Sequence, residues 1–138
     1  EYYKAFNGNN ESYGWLPADN DTLGVAKVYY HFPTAKKIYK ADMYLYRSAG
    51  SAVRNAGVKI KGANDGTNWV DVSDDVAITN FNQLYSTICS PSITYEYYCM
   101  THESGTPVNA GTGWHLQFYG RENGGVQDWL RAGGITNK

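Results

Sequence analysis

Val58-Lys59-Ile60-Lys61 leaves this chain few folds to choose from, because it alternates strictly and runs straight into Asn64-Asp65-Gly66 and then Trp69-Val70-Asp71-Val72. A period of two places Val58 and Ile60 on one face and Lys59 and Lys61 on the other, the pattern of a strand buried on one side. Asp65-Gly66 marks a hairpin turn, since glycine accepts the positive φ such turns demand. Burying unpaired ammonium groups is costly. Lys59 and Lys61 are therefore expected to face solvent, with Val58 and Ile60 in the core.

The same period recurs along the chain. Ala26, Val28, Tyr30 and Phe32 alternate with Val25, Lys27, Tyr29 and His31, and Met43 and Leu45 sit between Asp42, Tyr44 and Tyr46. Residues 84–88, 95–101 and 114–119 are further strand-like runs, and Leu116 and Phe118 are expected inside. Tyr 13, Trp 4 and Phe 4 make up 15% of the 138 residues, and 15 Gly stand beside only 18% charged residues. Aromatic and β-branched residues favour strands, and glycine favours the turns between them. About seven short strands with turn signals predict an all-β fold, an antiparallel jelly-roll β-sandwich. A chain of this length buries roughly 70% of its unfolded surface as one domain, so it needs no metal or disulfide to fold.

Charge excludes several partners. Twelve Lys+Arg against 13 Asp+Glu give a formal charge of -1. A nucleic-acid binder carries a basic surplus on one face, as does a protein that docks electrostatically on anionic lipid. No apolar run approaches the ~20 residues of a membrane helix, so neither nucleic acid nor membrane is expected as a partner. Composition shifts after Gly120: residues 121–138 hold two Gly-Gly pairs around a segment, residues 126–132, that suits a short helix. They read as a connector or an ordered tail beyond a domain of residues 1–120. Glu1 in place of Met suits a processed chain or a piece of a longer one. Cys89 and Cys99 are too few for a disulfide scaffold or zinc cluster. A single bridge between them stays open beside the reading of two inert, semi-buried thiols.

Four segments carry a resemblance. Tyr3-Lys4-Ala5-Phe6-Asn7-Gly8-Asn9 with Trp15 beyond it, residues 58–69, Tyr95-Glu96-Tyr97-Tyr98-Cys99-Met100, and Trp114-His115-Leu116-Gln117-Phe118-Tyr119-Gly120 lie in the order and spacing of four signatures of one family. The chain resembles the discoidin, or coagulation-factor type C, family, whose signatures many family 32 carbohydrate-binding modules share. The resemblance spans about residues 1–120 and implies a galactose-binding-domain-like jelly roll. The segment after Gly120 is similar to connectors in bacteriophage tail proteins. The resemblance also implies a structural calcium site, and here that site looks degraded. Asn7 and His115 stand where the family has carboxylates, with Asn9 nearby. Calcium takes six to eight hard oxygens, so neither calcium nor any other cofactor is expected.

In this family ligand loops cluster at one end of the sandwich. Residues 13–24, 47–57 and 102–113 are the corresponding loops, and Asp19, Asn20, Arg47, Arg54, His102, Glu103, Asn109 and Trp114 are the candidate ligand-binding residues. Planar donors and acceptors grip paired hydroxyls while an aromatic face stacks on a sugar ring. Each has a plainer role available: Asp19 and Asn20 as turn residues, Arg47 snorkelling at a strand end, His102 and Glu103 capping a strand. Arg54, among small residues with nothing apolar to cover, has the least structural reason to be there. Trp15 matches the family's tryptophan, which is a core residue, and Trp69, following the hairpin turn, reads as structural.

Catalysis finds little support. The three histidines fall on different strands, and no metalloprotease spacing, nucleophile elbow or C-x-x-C occurs. The expectation is a non-catalytic glycan-binding or adhesion module that attaches a larger extracellular or phage tail protein to a cell-surface glycan. The alternative is a structural virion or fibre domain whose partners are neighbouring copies or other tail subunits.

Overall fold

The computed structural model describes residues 26–46, 53–105, 113–122 and 125–128. They form nine strands in two antiparallel sheets: β1 (Ala26–Lys36), β2 (Ile38–Tyr46), β3 (Val53–Ala63), β4 (Val70–Asp71), β5 (Val76–Asn80), β6 (Leu84–Ile88), β7 (Tyr95–Gly105), β8 (Gly113–Glu122) and β9 (Gly125–Asp128). One sheet runs β1-β7-β3-β4, with β5 also paired to β3, and the other runs β6-β2-β8-β9. The chain repeatedly crosses from one sheet to the other, and the described residues make an antiparallel β-sandwich, as the alternation required.

The inner faces interdigitate. Phe32, Val58, Ile60, Ile78, Tyr98 and Met100 from the first sheet meet Ile38, Met43, Leu45, Trp114, Leu116 and Phe118 from the second. Side chains of this size each contribute roughly 1.5–3 kcal/mol when fully buried. Tyr98 shows how the core admits a polar atom: its ring is buried and its hydroxyl donates to the Lys36 carbonyl at 2.6 Å. Burial drives its ionisation well above the usual phenol range.

The expected hairpin is present. Gly62 pairs with Val70 and Lys61 with Asp71 across it. Within the turn, the Thr67 and Asn68 amides donate to Asp65 Oδ1 at 2.8 and 2.7 Å, and Gly66 takes φ +71°. Those donors, Asn68 first, hold the Asp65 carboxyl down at about 2. Asn64 ties the turn to β7 by accepting the Glu96 amide at 3.1 Å.

Three expectations are corrected. Residues 53–57 and 102–105 are strand, not loop: β3 pairs with β5 from Val53↔Asn80 and with β7 as far as Ala56↔Gly105. Small residues permit this close pairing; a Cβ on Gly57 would meet Ser104 Oγ at 2.5 Å. Residues 126–128 are strand, not helix, because β8 continues to Glu122 and offers β9 an open edge, with Glu122↔Gly125 and Gly120↔Gln127 in register. Residues 129–132 of the expected helix lie outside the described residues. Strand β5 lies outside the strand-like runs of the sequence, although Val76 and Ile78 carry its inward face.

Candidate functional site

Register turns the alternation into an outer face with two chemically different halves. Across the first sheet the outward positions Tyr29, Cys99, Lys61 and Asp71 align on β1, β7, β3 and β4, and His31, Tyr97 and Ala63 form the next row. Tyr29 contacts Tyr97 edge-on, with ring centroids 5.4 Å apart, and Trp69 lies 6.1 Å from Tyr29 and 6.5 Å from Tyr97. His31 stacks flat on Tyr97 at 4.0 Å and 8°. Its Nε2 is 3.4 Å from Glu96 Oε1. Tyr29 remains 50% exposed, and the His31 side chain 48%. The turn after β3 leans on this cluster: a Cβ on Gly66 would sit 3.3 Å from the Tyr97 ring. The result is an aromatic ridge, with Trp69 and Tyr97 half-buried and Tyr29 open to solvent.

Beside the ridge lies an ionic lattice. Lys59 Nζ donates to Asp71 Oδ2 at 2.9 Å and stands 3.4 Å from Asp75. Lys61 Nζ is 3.1 Å from Glu103 and 3.7 Å from Asp71. Thr101, paired with Lys59 across β3 and β7, donates its hydroxyl to Glu103 at 2.9 Å. The bond to Asp71 raises the Lys59 pKa above its ordinary value. Both lysines are on the outer face as expected, but they are paired and largely covered. Beyond Lys59 and Asp71 a groove of about 430 Å³ opens between residues 71–74 and 88–90, lined also by Ser73, Asp74, Ile88 and Ser90.

Of the sequence-expected ligand residues whose side chains the structure describes, Trp114 and His102 are buried rather than presented on this face. Trp114 is 0% exposed and packs in the core, where its period with Leu116 and Phe118 puts it, so it has no ring face to offer a ligand. His102 is buried, with Nε2 2.7 Å from the Ser104 carbonyl. Arg54 belongs by its backbone to β3 rather than to a loop. Glu103 joins the outer face, through Lys61. Asp19, Asn20, Arg47 and Asn109 lie outside the described residues, as do Asn7 and Asn9. His115 is buried on β8, edge-on to Tyr44. A buried imidazole nitrogen suits calcium badly, so the one described member of the implied calcium set does not fit the ion.

Cys89 and Cys99 are not bonded to each other, and desolvation pushes each thiol up to about 12. Cys89 belongs to the core, whereas Cys99 is buried on the outer face between Tyr29 and Lys61 in the register. Neither thiol offers a nucleophile near neutral pH.

Comparison with protein-family models and with curated proteins finds no match.

The residues that sequence reasoning missed are Tyr29, His31, Trp69 and Tyr97. They come from β1, from β7 and from just before β4, so no local window holds them together. A signal did exist in each strand: Tyr29 and His31 alternate with Tyr30 and Phe32, and Tyr97 falls between Glu96 and Tyr98. In a two-sheet sandwich only one face of each strand meets the core, so one of the two aromatic faces has to lie outside.

Proposed function

We propose that this chain is a non-catalytic glycan-binding module, attaching a larger extracellular or phage tail protein to a cell-surface carbohydrate. The observation that carries the proposal is the ridge of exposed Tyr29 and half-buried Tyr97 and Trp69 beside closely packed carboxylate, ammonium and hydroxyl groups. Aromatic rings accept the apolar C–H face of a sugar, and fixed planar acceptors and donors take its hydroxyls. The resemblance to the discoidin family and its carbohydrate-binding modules supports the same class of ligand. It places the ligand in the end loops, whereas the ridge lies on a sheet face.

A glycan array probed with the parent and with Tyr29→Ala tests the proposal. Tyr29 is half-exposed, so its loss spares the core. Removing its contact with a ligand costs about 1–2 kcal/mol of binding, roughly tenfold in affinity. Binding to at least one glycan, weakened in the variant, is the expected outcome. Silence across the array overturns the proposal.

Leu84 and Ile88 favour a second reading, a structural virion or fibre domain. They are 54% and 69% exposed on the edge strand β6, and exposed apolar edges promote association. A mass from light scattering separates the two: a concentration-independent monomer excludes subunit packing through this edge.

A further inference from the structure

The aromatic ridge does not end in open solvent. Along the outer row the groups change from Tyr29 on β1, over Cys99 on β7, to Lys61 on β3 and Asp71 on β4. Three strand spacings of about 4.8 Å separate β1 from β4, so the row is about 14 Å long. A pyranose unit is about as long as one strand spacing. At the β4 end the row meets the groove of about 430 Å³ where Lys59, Ser73, Asp74 and Ser90 supply polar atoms and Ile88 supplies an apolar wall. Ridge, ionic lattice and groove are thus three adjoining stations on one path, each of a chemistry that suits a sugar.

We infer that this path takes an internal stretch of a linear, uncharged polysaccharide, running across the strands from the ridge into the groove. The inference rests on the glycan-binding reading and adds length and charge to it. Length follows from the three stations, which a single sugar cannot occupy together. Charge follows from the lattice. Asp71, Asp75 and Glu103 already claim Lys59 and Lys61, Glu96 borders the ridge, and Asp74 lines the groove. Five carboxylates against two engaged ammonium groups and the His31 imidazole, which already faces Glu96, leave no described lysine or arginine on the path free for an acidic sugar. They repel its carboxylate or sulfate instead.

The test uses oligosaccharides of one to six units from linear glucan, mannan, galactan and xylan series, titrated by calorimetry into the parent and into Ser90→Trp. Ser90 is exposed at the rim of the groove, so the added indole fills the groove without disturbing the ridge. Where each added unit gains about one hydrogen bond, affinity rises about fivefold per unit. The expected result is a rise through three or four units and then a plateau, in at least one series. Ser90→Trp is expected to abolish the later part of that rise while leaving the disaccharide unchanged. Low salt is expected to widen the preference for neutral over uronic-acid oligomers.

Equal affinity for one unit and for six, or a length dependence that survives Ser90→Trp, overturns the extended path while the glycan reading stands. Binding only to terminal, branched or acidic array glycans does the same. No binding to any oligosaccharide or array glycan overturns both.

Discussion

Gly62 is buried against the ring of Tyr95 in a way that no other residue type could reproduce. A Cβ built on it would lie 2.7 Å from Tyr95 Cδ2 and 2.8 Å from Cγ. These are atoms at the base of the side chain, so rotating the ring does not clear them. Tyr95 is itself 5% exposed and packed edge-on against Tyr98 at 6.0 Å. Gly62→Ala must therefore move β3, β7 or the ring, and overpacking of this kind costs about 1–3 kcal/mol. With an unfolding entropy of about 2.1 cal/mol/K per residue, a chain this long loses about 3–4 °C of Tm per kcal/mol, so Gly62→Ala should lower Tm by roughly 4–10 °C in a circular-dichroism melt. A second background isolates the cause. Tyr95→Leu removes the ring and is destabilising by itself, but in that background the added methyl should cost less than about 1 kcal/mol. A Gly62→Ala melt within a degree of the parent, or an equal drop in both backgrounds, would refute the proposed contact.

Three further outcomes are expected. Because Asp65 is held down at about 2 from an ordinary 3.8, its charged form stabilises the fold above pH 4, and that contribution disappears as pH falls toward 2. The Tm gap between the parent and Asp65→Asn should be full at pH 5–7 and close on acidification; a gap independent of pH contradicts the turn's hydrogen bonding. With both thiols pushed up to about 12 and buried, a disulfide reagent at pH 8 should label neither cysteine in native protein and both after denaturation. Fast labelling of the native protein would show that burial does not protect them. EDTA should leave Tm unmoved, since a calcium ion at 100 times its dissociation constant would contribute about 2.7 kcal/mol and His115 is ill suited to hold one; a drop of several degrees reverses that view.

The strands were legible wherever one face had to be apolar. Lys59 and Lys61 against Val58 and Ile60, and Leu116 and Phe118 within β8, follow from a period of two and a single core. Where both faces are apolar or aromatic, alternation loses its meaning. Tyr29 and Tyr97 look no different in sequence from Tyr30 and Tyr98, and only the pairing of β1 with β7 separates ridge from core. Trp114 illustrates the opposite error: it borders a presumed loop, yet its spacing to Leu116 and Phe118 already assigned it inward. The small residues around Arg54 suggest a loop, yet Ala56 and Gly57 serve close strand pairing. The last strand had its own overlooked sign in Asn123-Gly124, a two-residue hairpin sequence set between Glu122 and Gly125. The charge lattice was beyond reach, because Lys61 and Glu103 are joined by the register of β3 on β7 and by nothing local.

A sugar bound to the sheet face and a sugar bound to the end loops leave different imprints on backbone and indole amide resonances. The decisive measurement is therefore a nitrogen-15 NMR titration of the whole chain with the best-binding oligosaccharide. Shifts concentrated at Tyr29, His31, Tyr97 and the Trp69 indole, spreading with chain length to Asp71, Ser73 and Ser90, are the result expected of glycan recognition by the ridge. Shifts confined to residues 13–24, 47–52 and 106–112, with the Trp69 indole unmoved, would contradict it.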